Sequence, residues 1–284
     1  MGETMTSTKS PSQVPVGVDP TRPSIARIYG GFLGGKDVYE VDRQVMRKIN
    51  DAVPEAVHIA RGNRAFLNRA CRFLSRESRI DQFLDCGSGL PTAENTHQIV
   101  QRFNPEARVV YVDNDPVVLA HGRALLTENE NVLMVSADIF NAPEVMENMV
   151  VGNHLDLTEP VVLLQVGTMH HVEGDAVAVM RRYIDALAPG SYVVFSHFFD
   201  PEEPELTRIA RRIENVLVNG PMGAGRFRTR AEIMEMLEGL ELVPSNDLGD
   251  SGLVACDEWW PDGPALTPLS GAARCIVGAV GRKP

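Results

Sequence analysis

The sequence predicts an α/β fold, a seven-stranded and mostly parallel sheet with helices on both faces and one antiparallel edge strand. Between Gln82 and Val218, short apolar runs alternate with amphipathic segments, the pattern of repeated βαβ crossovers. The runs are nearly continuous in Val, Leu and Ile, as strands covered on both faces require. Two further apolar runs close the chain with no clear crossover helix between them. That points to an antiparallel addition at the sheet edge.

In chain order, Met1 to Pro20 is rich in Ser, Thr, Pro and Val, with neither a basic start nor an apolar core. It is expected to be a disordered tail rather than a signal peptide. Residues 21–284 are expected to form a single domain, with an N-terminal helical lid over 21–78 and the sheet-bearing core over 79–284. In the lid, Val38 to Val53 sets Val38, Val41, Val45, Met46 and Ile49 on one helical face. A second helix, about Glu55 to Arg76, has Ile59, Phe66, Ala70, Phe73 and Leu74 on its apolar side and Arg61, Arg64, Arg72 and Arg76 on the other. The expected core strands are Gln82 to Cys86, Arg108 to Val112, Val132 to Ser136, Pro160 to Val166 and Ser191 to Ser196. The helices between and after them are about Glu94 to Phe103, Pro116 to Thr127, Glu144 to Val150, Asp175 to Leu187 and Glu205 to Val218. A helix over Ala231 to Leu237 then precedes the closing strands, Leu240 to Pro244 and Cys275 to Val280.

Composition narrows the classes of function. A net charge of -11 steers neutral or cationic partners toward the chain and disfavours nucleic acid. No segment approaches ~18 consecutive apolar residues, so no membrane span is expected. Cys71, Cys86, Cys256 and Cys275 form no CxxC pair, and no His/Cys cluster has zinc spacing. These read as buried or incidental thiols in a reducing, cytoplasmic setting, and no metal site is expected.

In open α/β sheets, ligands bind beyond the C-terminal ends of the strands. The first such end reads Asp85-Cys86-Gly87-Ser88-Gly89-Leu90-Pro91-Thr92; Gly87 and Gly89 permit a sharp turn and a close ligand approach. Asp113-Asn114-Asp115 follows the second strand, where an acid can accept hydrogen bonds from both hydroxyls of a ribose. Ala137-Asp138-Ile139 follows the third, offering an acid and a backbone amide suited to an adenine edge, and Val166 ends the fourth. A dinucleotide fingerprint would place a third Gly where Thr92 stands. Asp85 before the loop suits a cationic ligand better than a diphosphate. Both points favour S-adenosylmethionine, which carries a sulfonium and an ammonium, over NAD.

One stretch, Arg27-Ile28-Tyr29-Gly30-Gly31-Phe32-Leu33-Gly34-Gly35-Lys36-Asp37 with Asp42-Arg43, resembles the opening signature of a bacterial S-adenosylmethionine-dependent methyltransferase family formerly listed as a domain of unknown function. The likeness continues through Arg61-Gly62-Asn63-Arg64-Ala65-Phe66-Leu67, Asp113-Asn114-Asp115, Gly167-Thr168-Met169-His170-His171 and Val277-Gly278-Ala279-Val280-Gly281-Arg282-Lys283. It implies a class I methyltransferase, Rossmann-like fold and its cofactor, but no acceptor. Gly30-Gly31-Phe32 departs from the more polar or aromatic stretch expected there.

Glycines are poor helix residues, so Gly30, Gly31, Gly34 and Gly35 suggest a close approach to ligand. Lys36 would then pair with the cofactor carboxylate and Tyr29 cover it; a plainer role is that Gly34-Gly35 ends one helix and Asp37 caps the next. Arg64 is the helix arginine expected to face the site. His170 and His171 follow the fourth strand, where a methyl acceptor would lie, and are the candidate proton acceptors; for each one singly, packing under the loop or contact with the cofactor is the favoured role, since methyl transfer needs only proximity and alignment. Trp259-Trp260-Pro261 suits either an acceptor-pocket wall or plain packing. The expected activity is methyl transfer to an O or N nucleophile of a small-molecule acceptor. A cofactor-binding regulatory protein without catalysis is the alternative, and an NAD-dependent oxidoreductase lacks its Tyr-x-x-x-Lys pair.

Overall fold

Apolar runs buried from both sides form the strands of this computed structural model, which describes residues 18–91, 94–125, 129–249, 252–263 and 267–284. The strands are β1 (Gln82–Cys86), β2 (Arg108–Asp113), β3 (Val132–Ser136), β4 (Val162–Val166), β5 (Tyr192–Phe198), β6 (Glu241–Leu242), β7 (Val254–Ala255) and β8 (Ile276–Arg282). They make an eight-stranded sheet ordered β3-β2-β1-β4-β5-β8-β6, with β7 also paired to β8. β1 to β5 are mutually parallel, whereas β8 runs antiparallel to β5. The reversed strand thus sits toward the β5 side, and only the two-residue β6 and β7 pair beyond it. β7 makes the strand count eight rather than the expected seven. Two residues without an apolar run leave no periodic trace.

The N-terminal helices are α1 (Ile25–Phe32), α2 (Glu40–Ala52) and α3 (Val57–Glu77). Those interleaved with the strands are α4 (Thr96–Val100), α5 (Pro116–Leu125), α6 (Ala142–Met146), α7 (Met149–His154), α8 (Ala176–Ala186), α9 (Pro204–Val218) and α10 (Arg230–Met236). The single helix expected over Glu144 to Val150 is two. Asn148 breaks it by accepting hydrogen bonds from the Val150 and Val151 amides, since an Asn side chain competes for backbone donors. Likewise β6 is shorter than the expected Leu240 to Pro244, where Pro244 has no N–H for a ladder. The last positions expected in α5, Thr92 of the glycine loop and residues 1–17 of the expected tail lie outside the described residues.

Side chains alternate across the sheet, and the core divides accordingly. Phe83, Val109, Val162 and Leu164 pack with Ile59, Phe66 and Leu74 of α3 and Ile213 of α9. Leu84, Val110, Leu163 and Phe195 pack on the other face with Met180 and Tyr183 of α8 and Ile233 of α10. The four cysteines are free and buried, and burial pushes their thiols up, which leaves them inert. Among the described residues, no helix is long and apolar enough to cross a membrane.

Candidate active site

Beyond the C-terminal ends of β1, β2, β3 and β4, the chain encloses a cleft of about 750 Å³. Its walls include Tyr29, Gly87, Gly89, Asp113, Asn114, Asp138, Ile139, Val166 and His171. Gly87 and Gly89 lie at φ 76° and 65°, the left-handed region that L side chains rarely adopt. A Cβ on Gly87 would also stand 2.5 Å from Thr168 Cγ2. The loop therefore turns tightly under the cleft.

Asp113 is buried at the cleft floor. One carboxylate oxygen accepts from the Gly89 amide at 3.0 Å and the other from the Asp115 amide at 2.9 Å. The carboxylate's four lone pairs leave acceptor capacity beyond these bonds. Burial raises its pKa, and the Asp115, Gly89 and Asn114 amides oppose that by favouring the anion. At the next strand end, Asp138 accepts from the Phe140 amide at 2.9 Å.

The roof comes from the N-terminal segment, and its placement rests on one buried ion pair. Arg27 Nε donates to Asp42 Oδ2 at 2.7 Å, with both side chains buried. The Ser24 and Tyr39 amides donate to the same carboxylate, at 3.0 and 2.8 Å. Arg27 also donates to the Arg22 carbonyl. So anchored, Ser24 donates its hydroxyl to Asp115 at 2.5 Å, closing Arg22 to Ala26 over the cleft. Below them, Asn63 joins three elements: its amide donates to the Tyr29 hydroxyl at 3.0 Å and accepts from the Ser196 hydroxyl at 2.5 Å. It also fills the space above Gly167, where a Cβ would lie 2.9 Å from its Nδ2.

Six expected residues do not line this cleft. Asp85 alternates with Leu84 and Cys86, so the pleat turns it toward α3 and α4. Its buried carboxyl accepts from Thr96 Oγ1 at 2.6 Å, and burial pushes its pKa up to about 6. Arg64 donates to the Glu94 carbonyl. Gly34, at φ 89°, and the Gly35 amide, bonded to the Gly30 carbonyl at 2.8 Å, end α1; Lys36 follows, exposed and outside the cleft. Ser88 turns its buried, unpartnered hydroxyl away, and Ala137 is packed in the core. His170 lines a different space.

That space is an apolar cavity of about 100 Å³ between α1, α3, α9 and β8. It shares Ile25, Tyr29, Asn63, Gly167, His171 and Met222 with the cleft. His170 stacks on Phe198 with ring centroids 3.5 Å apart, and His171 lies 4.3 Å from His170. His197, behind them, meets the Phe198 carbonyl at 2.6 Å and the Arg228 guanidinium at 2.8 Å. Burial holds all three imidazoles neutral: His171 falls to about 4, His197 to about 3, and His170 well below its usual value.

The remaining arginines of α3 and the tryptophan pair lie away from the cleft. Arg72 pairs with Asp262 at 2.5 Å, Arg76 lies 5.1 Å over the Phe103 ring, and Arg61 is exposed. Trp259 is buried edge-on against Phe66 and Phe73. Sequence reasoning missed Asn63, Ser24, Asp115 and Thr168 as site residues. Asn63 and Thr168 stand within quoted motif stretches, but only their burial beside Gly167 and Gly87 distinguishes them.

The family model for S-adenosyl methyltransferases matches residues 11–284. The chain belongs to that family. Two solved structures resemble this methyltransferase along nearly their whole length. One is a methyltransferase candidate from Thermobifida fusca YX, 38% identical over 95% of this chain and 98% of that one, with a TM-score of 0.86. The other is a DUF574 family protein from Streptomyces avermitilis MA-4680, 35% identical over 94% of this chain and 99% of that one, with a TM-score of 0.85. No curated protein sequence matches the chain. The methyltransferase uses S-adenosylmethionine, and its cleft suits that cofactor: two glycines open the floor, and Asp113 keeps free acceptor capacity.

Proposed function

We propose that this methyltransferase carries the methyl group to an oxygen or nitrogen nucleophile of a small molecule, with the cofactor in the larger cleft and the acceptor in the adjoining apolar cavity. The observation that carries this reading is the shared wall. Tyr29, Asn63, Gly167 and His171 line both spaces, so ligands in the two meet there. In this reading Asp113 accepts from the ribose hydroxyls, and Asp138 and Ile139 border the adenine. Tyr29 covers the cofactor from above, while Asn63 holds the Tyr29 ring in place.

When bound, S-adenosylmethionine supplies an electrophilic methyl whose carbon–sulfur bond breaks, the electron pair staying on sulfur, as the acceptor's nucleophile bonds to carbon. The protein's part is chiefly to hold and align. His171 faces the junction as a neutral imidazole, able to accept a hydrogen bond or proton there. With its pKa near 4, it is a weak base. His170 packs against it from the cavity side, the two rings tilted by 55°.

Parallel calorimetric titrations with S-adenosylmethionine, S-adenosylhomocysteine and NAD test the reading. Binding of the first two without NAD supports it; NAD binding alone sinks it.

A further inference from the structure

The apolar cavity is selective in a way its position alone does not explain. Ile28, Ile49, Ile59, Ile213, Leu217 and Phe198 are among its wall residues. None of its lining residues, among those described, is Asp, Glu, Lys or Arg. Its polar atoms gather instead at the junction with the cleft. There the Tyr29 hydroxyl accepts from Asn63 and His171 has a buried Nδ1 with no hydrogen-bond partner, as does His170 beside it within the cavity. Such buried, unpaired atoms carry a desolvation cost that a ligand donor would relieve.

Resting on the reading above that methyl transfer occurs at this junction, we propose that the acceptor is an uncharged molecule with an apolar part the size of a single ring. That part fills the cavity, and its hydroxyl or amino nucleophile points back toward Tyr29, Asn63 and His171. Size and charge both favour this class. A closed apolar cavity of ~150 Å³ accommodates benzene; this one, about 100 Å³ and open toward the cleft, suits one ring with its substituent projecting outward. A carboxylate or ammonium seated among these isoleucines would lose its hydration with no countercharge to replace it. The exchange balances simply: the acceptor's O–H or N–H proton passes to solvent, its lone pair bonds the methyl carbon, and the thioether product leaves neutral.

The test uses the full chain saturated with S-adenosylhomocysteine, with p-cresol and 4-hydroxybenzoate as probes in ligand-observed NMR titrations. Saturable p-cresol binding, at least tenfold tighter than 4-hydroxybenzoate, is expected. Ala60→Phe, which fills the cavity from α3, is expected to weaken p-cresol at least tenfold while S-adenosylhomocysteine affinity stays within twofold. Ile213→Phe fills it from α9 and replaces Ala60→Phe if that variant does not melt cooperatively. Absent p-cresol binding, equal affinity for the two probes, or p-cresol affinity unchanged by filling would each overturn the proposal. Failure of S-adenosylhomocysteine itself to bind would instead overturn the assignment of the larger cleft.

Discussion

Asp113 receives backbone amides on both oxygens and still has acceptor capacity left among its four lone pairs, so its loss should be felt by the cofactor more than by the fold. Asp113→Ala is expected to weaken S-adenosylhomocysteine by about 2–3 kcal/mol, roughly 30- to 150-fold, as for hydrogen bonds to a charged group. Calorimetry checks this, and unchanged affinity would remove the ribose assignment. The histidines make a separate prediction. If His171 accepts the proton, the active form is its neutral one. That form is lost only as pH falls through about 4, so the rate under saturating acceptor should show no acidic limb near the ordinary histidine value. A limb near 6.5 that disappears in His171→Gln would mean that the imidazole is far better hydrated than its burial implies. The strand-end acid and glycines were legible because they follow apolar runs directly. Asp85 and Lys36 were not, since their direction depends on a pleat and on a helix terminus rather than on residue type.

The helical elements at the N-terminus depend on a charge pair that their periodicity does not reveal. Arg27 and Asp42 are both buried, and four of their hydrogen bonds fix where α1 meets α2. Removing one partner strands the other in a dry site, which costs about 3–5 kcal/mol. Asp42→Ala should therefore lower the urea midpoint sharply. Replacing both, as Arg27→Met with Asp42→Leu, should recover much of that loss, because burying a pair gains little over well-packed apolar groups. Cofactor affinity should remain reduced in the double variant, since the Ser24 amide loses its Asp42 acceptor and the Ser24 tie to Asp115 loosens. Full recovery of affinity would show that the roof is held by other contacts. Long amphipathic elements such as α3 and α9 declare themselves through spacing. α6 and α7 do not, because one Asn side chain divides them.

At the scale of the whole molecule, the sheet's two-faced core brings three histidines into one neutral cluster beneath the site, and that shapes acid stability. His170, His171 and His197 have pKa values below their unfolded value. The unfolded chain therefore binds protons that the folded chain refuses as pH falls below about 6.5. Stability rises with pH wherever the unfolded state binds more protons, so these groups contribute fully above that value. Their contribution is lost progressively as pH falls toward 4. Asp85 and Asp113 oppose the trend, because their raised values make the folded state hold protons that the unfolded state has released. Asp85 titrates at about 6, so between pH 7 and 6 the histidines dominate. Below that, four imidazoles on the unfolded chain, His97 included, compete with the two carboxyls on the folded one. Urea unfolding at steps from pH 7.5 to 4.5 should show stability falling throughout, most cleanly in the first unit below 7. His197→Phe should flatten that slope by about a quarter, since His97 is lowered by burial as well and one of four depressed imidazoles is gone. A flat profile in the parent protein would mean that the cluster is charged in the folded state. In that case the neutral junction on which acceptor binding depends would not exist.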